Sequence, residues 1–94
     1  MKYVIIKNEY NCEVPIIFSD LLSHSDVALK LTYNNRENII SAGFCYISHD
    51  SRIGFICYDK STTLDMYPRT DTDAKLLNDD MGLTERINDA NQGY

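Results

Sequence analysis

Ile39-Ile-Ser-Ala-Gly-Phe-Cys-Tyr-Ile47, Ser48-His-Asp-Ser-Arg52, Ile53-Gly-Phe-Ile-Cys-Tyr-Asp59 is the stretch on which the fold turns. Two runs rich in Ile, Phe and Tyr flank five polar residues, the pattern of a β-hairpin. Aromatic and β-branched residues suit a pleated surface, while Ser, Asp and His suit its turn. Ile40, Ala42, Phe44 and Tyr46 alternate with Ile39, Ser41, Gly43, Cys45 and Ile47, and neither set is polar. A strand apolar on both faces sits centrally in a sheet, or has one face on the core and the other on a partner. Gly43 and Gly54 mark a bulge or a close backbone approach.

Outward from the hairpin, Lys2 to Lys7 and Cys12 to Phe18 form a first pair of strands around the turn Asn8-Glu9-Tyr10-Asn11. Pro15 has no N–H for a ladder and puts its strand at an edge or a bulge. Ser19 to Tyr33 holds a helix, with Ser23 or Ser25 as cap and Asp26 in the first turn. Leu21, Leu22, Val27, Ala28 and Leu31 supply its apolar stripe, and Asn34 and Asn35 end it. Beyond the hairpin, Ser61 to Tyr67 alternates as a fifth strand, with Leu64 and Met66 on one side. Asp71 to Met81 is a second helix, capped by Thr70 with Asp73 behind it. Leu83 to Tyr94 is polar, with one helical turn before it frays.

The order β-β-α-β-β-β-α predicts an α+β domain over residues 1–82. It has a five-stranded, mostly antiparallel sheet with both helices on one face, and a polar tail over 83–94. A chain of 94 residues supports one modest core. No apolar run approaches the roughly 18 to 20 residues of a membrane span, and the N-terminus reads as a strand rather than a signal peptide. Cys45 and Cys57 lie on the two arms of the hairpin and could approach each other, but three cysteines without a close pair in sequence suggest buried reduced thiols in a cytoplasmic protein.

The net charge is −5, from 14 Asp and Glu against 9 Lys and Arg. That balance disfavours direct binding to nucleic-acid phosphates or to a membrane surface. His24 and His49 are not spaced to share a metal, so no metal or cofactor is expected. Cys45 and His49 lie about 13 Å apart on an extended strand, too far for a nucleophile–base pair. The four glycines are scattered, with no phosphate loop. These readings point away from an enzyme.

Seven tyrosines are many for this length. Tyrosines on an exposed sheet face make a platform for a protein partner. The expected partner-binding residues are Phe44, Tyr46, Ile56, Tyr58 and Tyr67, with Asp65, Asp79 and Asp80 as an acidic edge. A homo-oligomer would use the same face. The alternative is a nucleotide-type small ligand held between tyrosines and Arg36 or Arg52.

Lys2-Tyr3-Val4-Ile5-Ile6, Val14-Pro15-Ile16-Ile17-Phe18, His24-Ser25-Asp26-Val27-Ala28, Ile40-Ser41-Ala42-Gly43-Phe44 and Asp73-Ala74-Lys75-Leu76-Leu77-Asn78 stand in this order. Together they resemble segments of small uncharacterised phage and prophage proteins. The resemblance implies an accessory factor, such as an anti-CRISPR or anti-restriction inhibitor, acting on a host defence or nucleic-acid-processing complex in the host cytoplasm. It implies no catalytic residue.

Overall fold

Tyr3-Val4-Ile5-Ile6 is a run of four buried residues, and the sheet is built around it. The computed structural model describes residues 1–92. Strand β1 (Lys2–Lys7) pairs with β2 (Glu13–Phe18) on one side and β3 (Ile39–Ile47) on the other, and β4 (Phe55–Tyr58) completes the sheet beyond β3. The order is β2-β1-β3-β4 and every pair is antiparallel. The first turn closes as its polar residues predict. Asn8 Oδ1 accepts from the Tyr10 and Cys12 amides, and Asn11 takes a left-handed φ of 64°. Pro15 lies on edge strand β2 opposite Ile5, where a missing N–H takes nothing from the ladder.

Helix α1 (His24–Leu31) starts at Ser23, whose Oγ accepts from the Asp26 amide at 3.1 Å. Tyr33 and Asn34 terminate it in left-handed conformation. Leu21 and Leu22 do not join its apolar stripe. They precede the helix, and Leu21 is 94 % exposed. Helix α2 (Thr70–Asp80) begins one residue earlier than its Thr70 cap predicts. Arg69 is the cap residue, and the Asp73 carboxylate reaches back to its amide at 2.9 Å.

Three expectations are corrected. The sheet has four strands rather than five, because residues 61–66 fold as a tight turn with a single bridge between Ser61 and Met66. Asp65 has a left-handed φ of 54°, and the Leu64 amide donates to Ser61 Oγ. Leu64 and Met66 still reach the core, but as a plug beside β3. The tail does not fray after one turn, since Thr84–Asn91 is a helix, α3; residues 93–94 lie outside the described residues.

The third correction concerns the layers. Tyr3 and Ile5 pack with Cys45, Phe55, Cys57 and α2's Leu77, whereas Val4 and Ile6 pack with Ala42, Leu64 and α1's Ala28. Successive strand residues face opposite ways, so α1 and α2 lie on opposite faces of the sheet rather than on one. Both faces of β1 are apolar, and each needs its own cover. A bulge opposite Ile5 and Ile6 sends Ile39 to the α1 side and Ile40 to the α2 side. It breaks the simple alternation of β3 at its start.

Both glycines that the hairpin pattern singled out have steric reasons. A Cβ on Gly43 would lie 2.8 Å from the Asp59 carbonyl oxygen, and Gly54 has a φ of 77° with its hydrogens against the Asn78 carboxamide.

A buried polar network pins α2 to the sheet. Tyr3 donates its hydroxyl to Asp73 Oδ2 at 2.6 Å, Arg69 Nε donates to Asp73 Oδ1 at 3.0 Å, and Arg69 Nη2 reaches Glu13 Oε1 at 2.7 Å. The Asp73 side chain is fully buried. Asp73→Ala orphans the Tyr3 hydroxyl and strips Arg69 of its inner carboxylate, so urea unfolding should show a loss of about 3–5 kcal/mol. Tyr3→Phe, which leaves Arg69 paired, should lose only about 1–2 kcal/mol. Ser41 Oγ is buried with no hydrogen-bond partner, and Ser41→Ala should hold or raise stability in the same assay.

Candidate functional site

The register places Phe18 of β2, Lys2 of β1, Phe44 of β3 and Tyr58 of β4 side by side in one row across the sheet. Directly paired residues share a face, and this is the face of Val4, Ala42 and α1. Tyr46 and Ile56 form the next row on the same side. Phe44, Tyr46, Ile56 and Tyr58 are therefore brought together on one face by the hairpin register.

The rings touch in sequence. Phe18 and His24 lie 5.5 Å apart edge to face, His24 and Phe44 5.3 Å, Phe44 and Tyr58 5.8 Å, and Tyr58 and Tyr46 5.7 Å. Such offset and edge contacts suit the ring quadrupoles and stiffen the row. Lys2 Nζ sits 5.9 Å from the Phe44 centroid and donates to the Leu22 carbonyl at 2.8 Å. The row thus runs from a buried end under α1 to an open end on β4. Tyr46 is 47 % and Tyr58 39 % exposed, while Phe44 and Ile56 are half-buried. Helix α1 has eight residues and packs over β1 and β2, with Ile16 of β2 beside its Val27 and Leu31. The Ser61–Met66 turn covers Ile39 and Ala42 of β3, and the open part of this face is the end of β3 and β4 that carries Tyr46, Ile56 and Tyr58.

His24, Phe18 and Lys2 belong to this constellation and were not among the expected binding residues. The signal was faint: Lys2 and Phe18 mark matching ends of the first hairpin, and His24 follows the Ser23 cap. His24 is buried, with Nε2–H donating to the Gly43 carbonyl at 2.7 Å. Burial holds its pKa below the ordinary value of 6.5, opposed by the Gly43 hydrogen bond and assisted by the Lys2 charge.

The other expected residues lie apart. Asp65 is exposed on the tight turn and paired with Lys60, whose ammonium sits 5.2 Å from the Tyr67 ring centroid. Tyr67 is 69 % exposed. Asp79 and Asp80 end α2, on the opposite side of the sheet, where Asp79 accepts from the Thr84 hydroxyl. No single acidic edge adjoins the aromatic row.

The two arginines of the small-ligand alternative stand far apart. Arg36 precedes β3 and Arg52 follows it, so nine strand residues separate them, about 30 Å at strand rise. Arg52 is clasped by Asp50 through Nε and Nη2, which holds the Asp50 carboxyl down at about 2. Cys45 points into the α2-side core and His49 stands exposed at the hairpin tip, so no nucleophile–base pair forms between them. Among the described residues, no group of three or more His, Cys, Asp or Glu side chains is arranged to hold a metal ion. Among the described residues, no helix is long and apolar enough to cross a membrane.

No family model, curated protein or solved structure matches this chain. What the site can do must be read from its own residues. An open aromatic row with hydroxyl tips offers contact area and hydrogen bonds, the chemistry of recognition.

His24 supplies a pH test. Its folded pKa lies below the unfolded one, so its contribution is complete above about pH 6.5 and falls as protons bind the unfolded state preferentially. Thermal unfolding followed from about pH 7 to about pH 5 should show a falling Tm. In His24→Gln, which keeps a donor for Gly43, that fall should be much shallower.

Proposed function

We propose that this chain is a non-catalytic binding factor that docks a protein partner on the open aromatic row of β3 and β4. The observation that carries this reading is the half-exposed Tyr46–Tyr58 pair, in register with Phe44 and Ile56, on the part of the sheet that α1 leaves bare. Tyrosine is enriched among residues that dominate interfaces, because it adds apolar area and a polar tip with few rotors. Charge supports the same face. The chain carries −5, yet β3 and β4 contain no charged residue. A partner seated on these two strands meets no charge on them, while the Lys2 ammonium on neighbouring β1 is already held by the Leu22 carbonyl and the Phe44 ring. Tyr67 and the carboxylates of Asp65, Asp79 and Asp80 act from outside it, the acids steering a basic partner at long range.

The phage-like segments favour a host defence complex as the partner, with inhibition as the outcome and the host cytoplasm as the setting. A second copy of the chain is the other protein that this face would accept.

The test separates the row from the acids. Tyr46→Thr/Tyr58→Thr keeps strand-forming residues and should leave unfolding within about 1 kcal/mol of the parent. Against a partner captured by the parent chain, the double variant should bind at least tenfold more weakly, about 1.4 kcal/mol. Asp79→Asn/Asp80→Asn should change binding far less at physiological salt. Retention of the partner by the tyrosine variant, with loss by the aspartate variant, would reassign the interface to the α2 side.

A further inference from the structure

Cys45 and Cys57 are directly opposite each other on β3 and β4. The Cys45 amide donates to the Met1 carbonyl at 2.8 Å, and the Cys45 carbonyl accepts from the Met1 ammonium at 3.1 Å. Its backbone groups therefore turn towards the chain's first strand and away from β4. Further along the same ladder, the Ser48 amide donates to the Gly54 carbonyl at 2.8 Å, and counting back in twos places 45 and 57 in a non-hydrogen-bonded pair. In such pairs the Cα atoms approach to about 4.5 Å and the side chains lie on the same face. That separation falls within the range a disulfide accepts, about 4.4–6.8 Å. Both residues are buried as free thiols in the α2-side core. The hairpin pattern puts the two cysteines on facing arms, where they can approach each other, and the register sets them directly opposite.

We infer that Cys45 and Cys57 are a latent cross-strand disulfide, closed by a hydroperoxide small enough to enter the core. Cys57 is the less enclosed of the two, at 5 % against 0 % exposed, and reacts first. Its thiolate attacks the peroxide, forming an S–O bond as the O–O bond breaks, and the departing hydroxide takes up the thiol proton as water. The Cys45 sulfur then attacks the sulfenic sulfur of Cys57, and the displaced hydroxide leaves as water with the Cys45 proton. Two thiols and one hydrogen peroxide give one disulfide and two waters. The sulfurs lose two electrons and the peroxide gains them.

Burial pushes both thiols up, Cys57 to about 12, so thiolate is scarce at neutral pH and the pair reacts slowly there. Once formed, the bond joins the two strands under the aromatic row, since Cys45 lies between Phe44 and Tyr46, and Cys57 between Ile56 and Tyr58. The inference does not depend on what that row binds.

The test uses the full chain with Cys12→Ser, because Cys12 is exposed and would cross-link molecules. Hydrogen peroxide is added at about pH 9, where thiolate is more abundant. The expected product is a monomer lighter by two hydrogens, with peptides containing Cys45 and Cys57 joined. Its Tm should rise by about 10–20 °C, as expected for a loop of this length, and dithiothreitol should reverse the rise. Cys57→Ser in the same background should give neither change. The inference is overturned if the folded chain gains oxygen at either sulfur without closing the bond. It is equally overturned if the thiols stay free, or if the bond forms and the Tm falls.

Discussion

Everything in this fold leans on one buried carboxylate. Asp73 accepts the Tyr3 hydroxyl from β1, the Arg69 amide at the start of α2 and the Arg69 guanidinium, and Arg69 continues to Glu13 on β2. An ionised group fully out of water is tolerable only when each lone pair has a donor. Here the donors come from a central strand and from the helix's own first turn, while the far end of the arginine is anchored on an edge strand. Meeting that requirement fixes where α2 starts and how it is rotated. That rotation presents Leu77 to Tyr3, Ile5, Cys45, Phe55 and Cys57. The Tyr3 phenol is correspondingly held in its protonated form, by burial first and by Asp73 second.

With α2 committed to one face, the other is left to α1 and the Ser61–Met66 turn. An eight-residue helix is about 12 Å long, so it cannot cover a four-stranded sheet of about 15 Å across and more along the strands. Ala28 allows close approach over β1, and His24 wedges the helix start between Phe18 and Phe44. Where the helix ends its cover, the aromatic row emerges. The candidate interface is thus the residue of a packing shortfall, filled with side chains that tolerate both water and burial.

Much of this was legible in the chain. The central hairpin, the edge position of Pro15 and the Ser23 cap follow from local rules of turn chemistry and alternation, and the register adds that Phe44, Tyr46, Ile56 and Tyr58 share a face. What escaped has a common cause: it depends on long-range register or on backbone that sequence patterns do not display. Ser61 to Tyr67 alternates like a strand, but left-handed Asp59 and Asp65 fold it into a turn. Two helices most cheaply cover one face of a sheet, but Tyr3-Val4-Ile5-Ile6 is apolar on both faces of β1 and each face takes a helix of its own. His24 reads from sequence only as a residue near a helix start, and the pairing of Lys2 with both Phe18 and Phe44 creates its slot.

Two small details, Pro15 on β2 and Asn78 against β4, decide what kind of conversation this molecule can hold. A naked sheet margin invites any extended segment, since main-chain hydrogen bonding reads no sequence. Here one margin lacks a donor at its middle, and at the other the Phe55 amide is already taken by Asn78 Oδ1 at 2.9 Å. Neither margin is free to zip indiscriminately onto foreign chain. An extended segment laid along either margin would meet a missing or an occupied amide, so strand addition there is weakened.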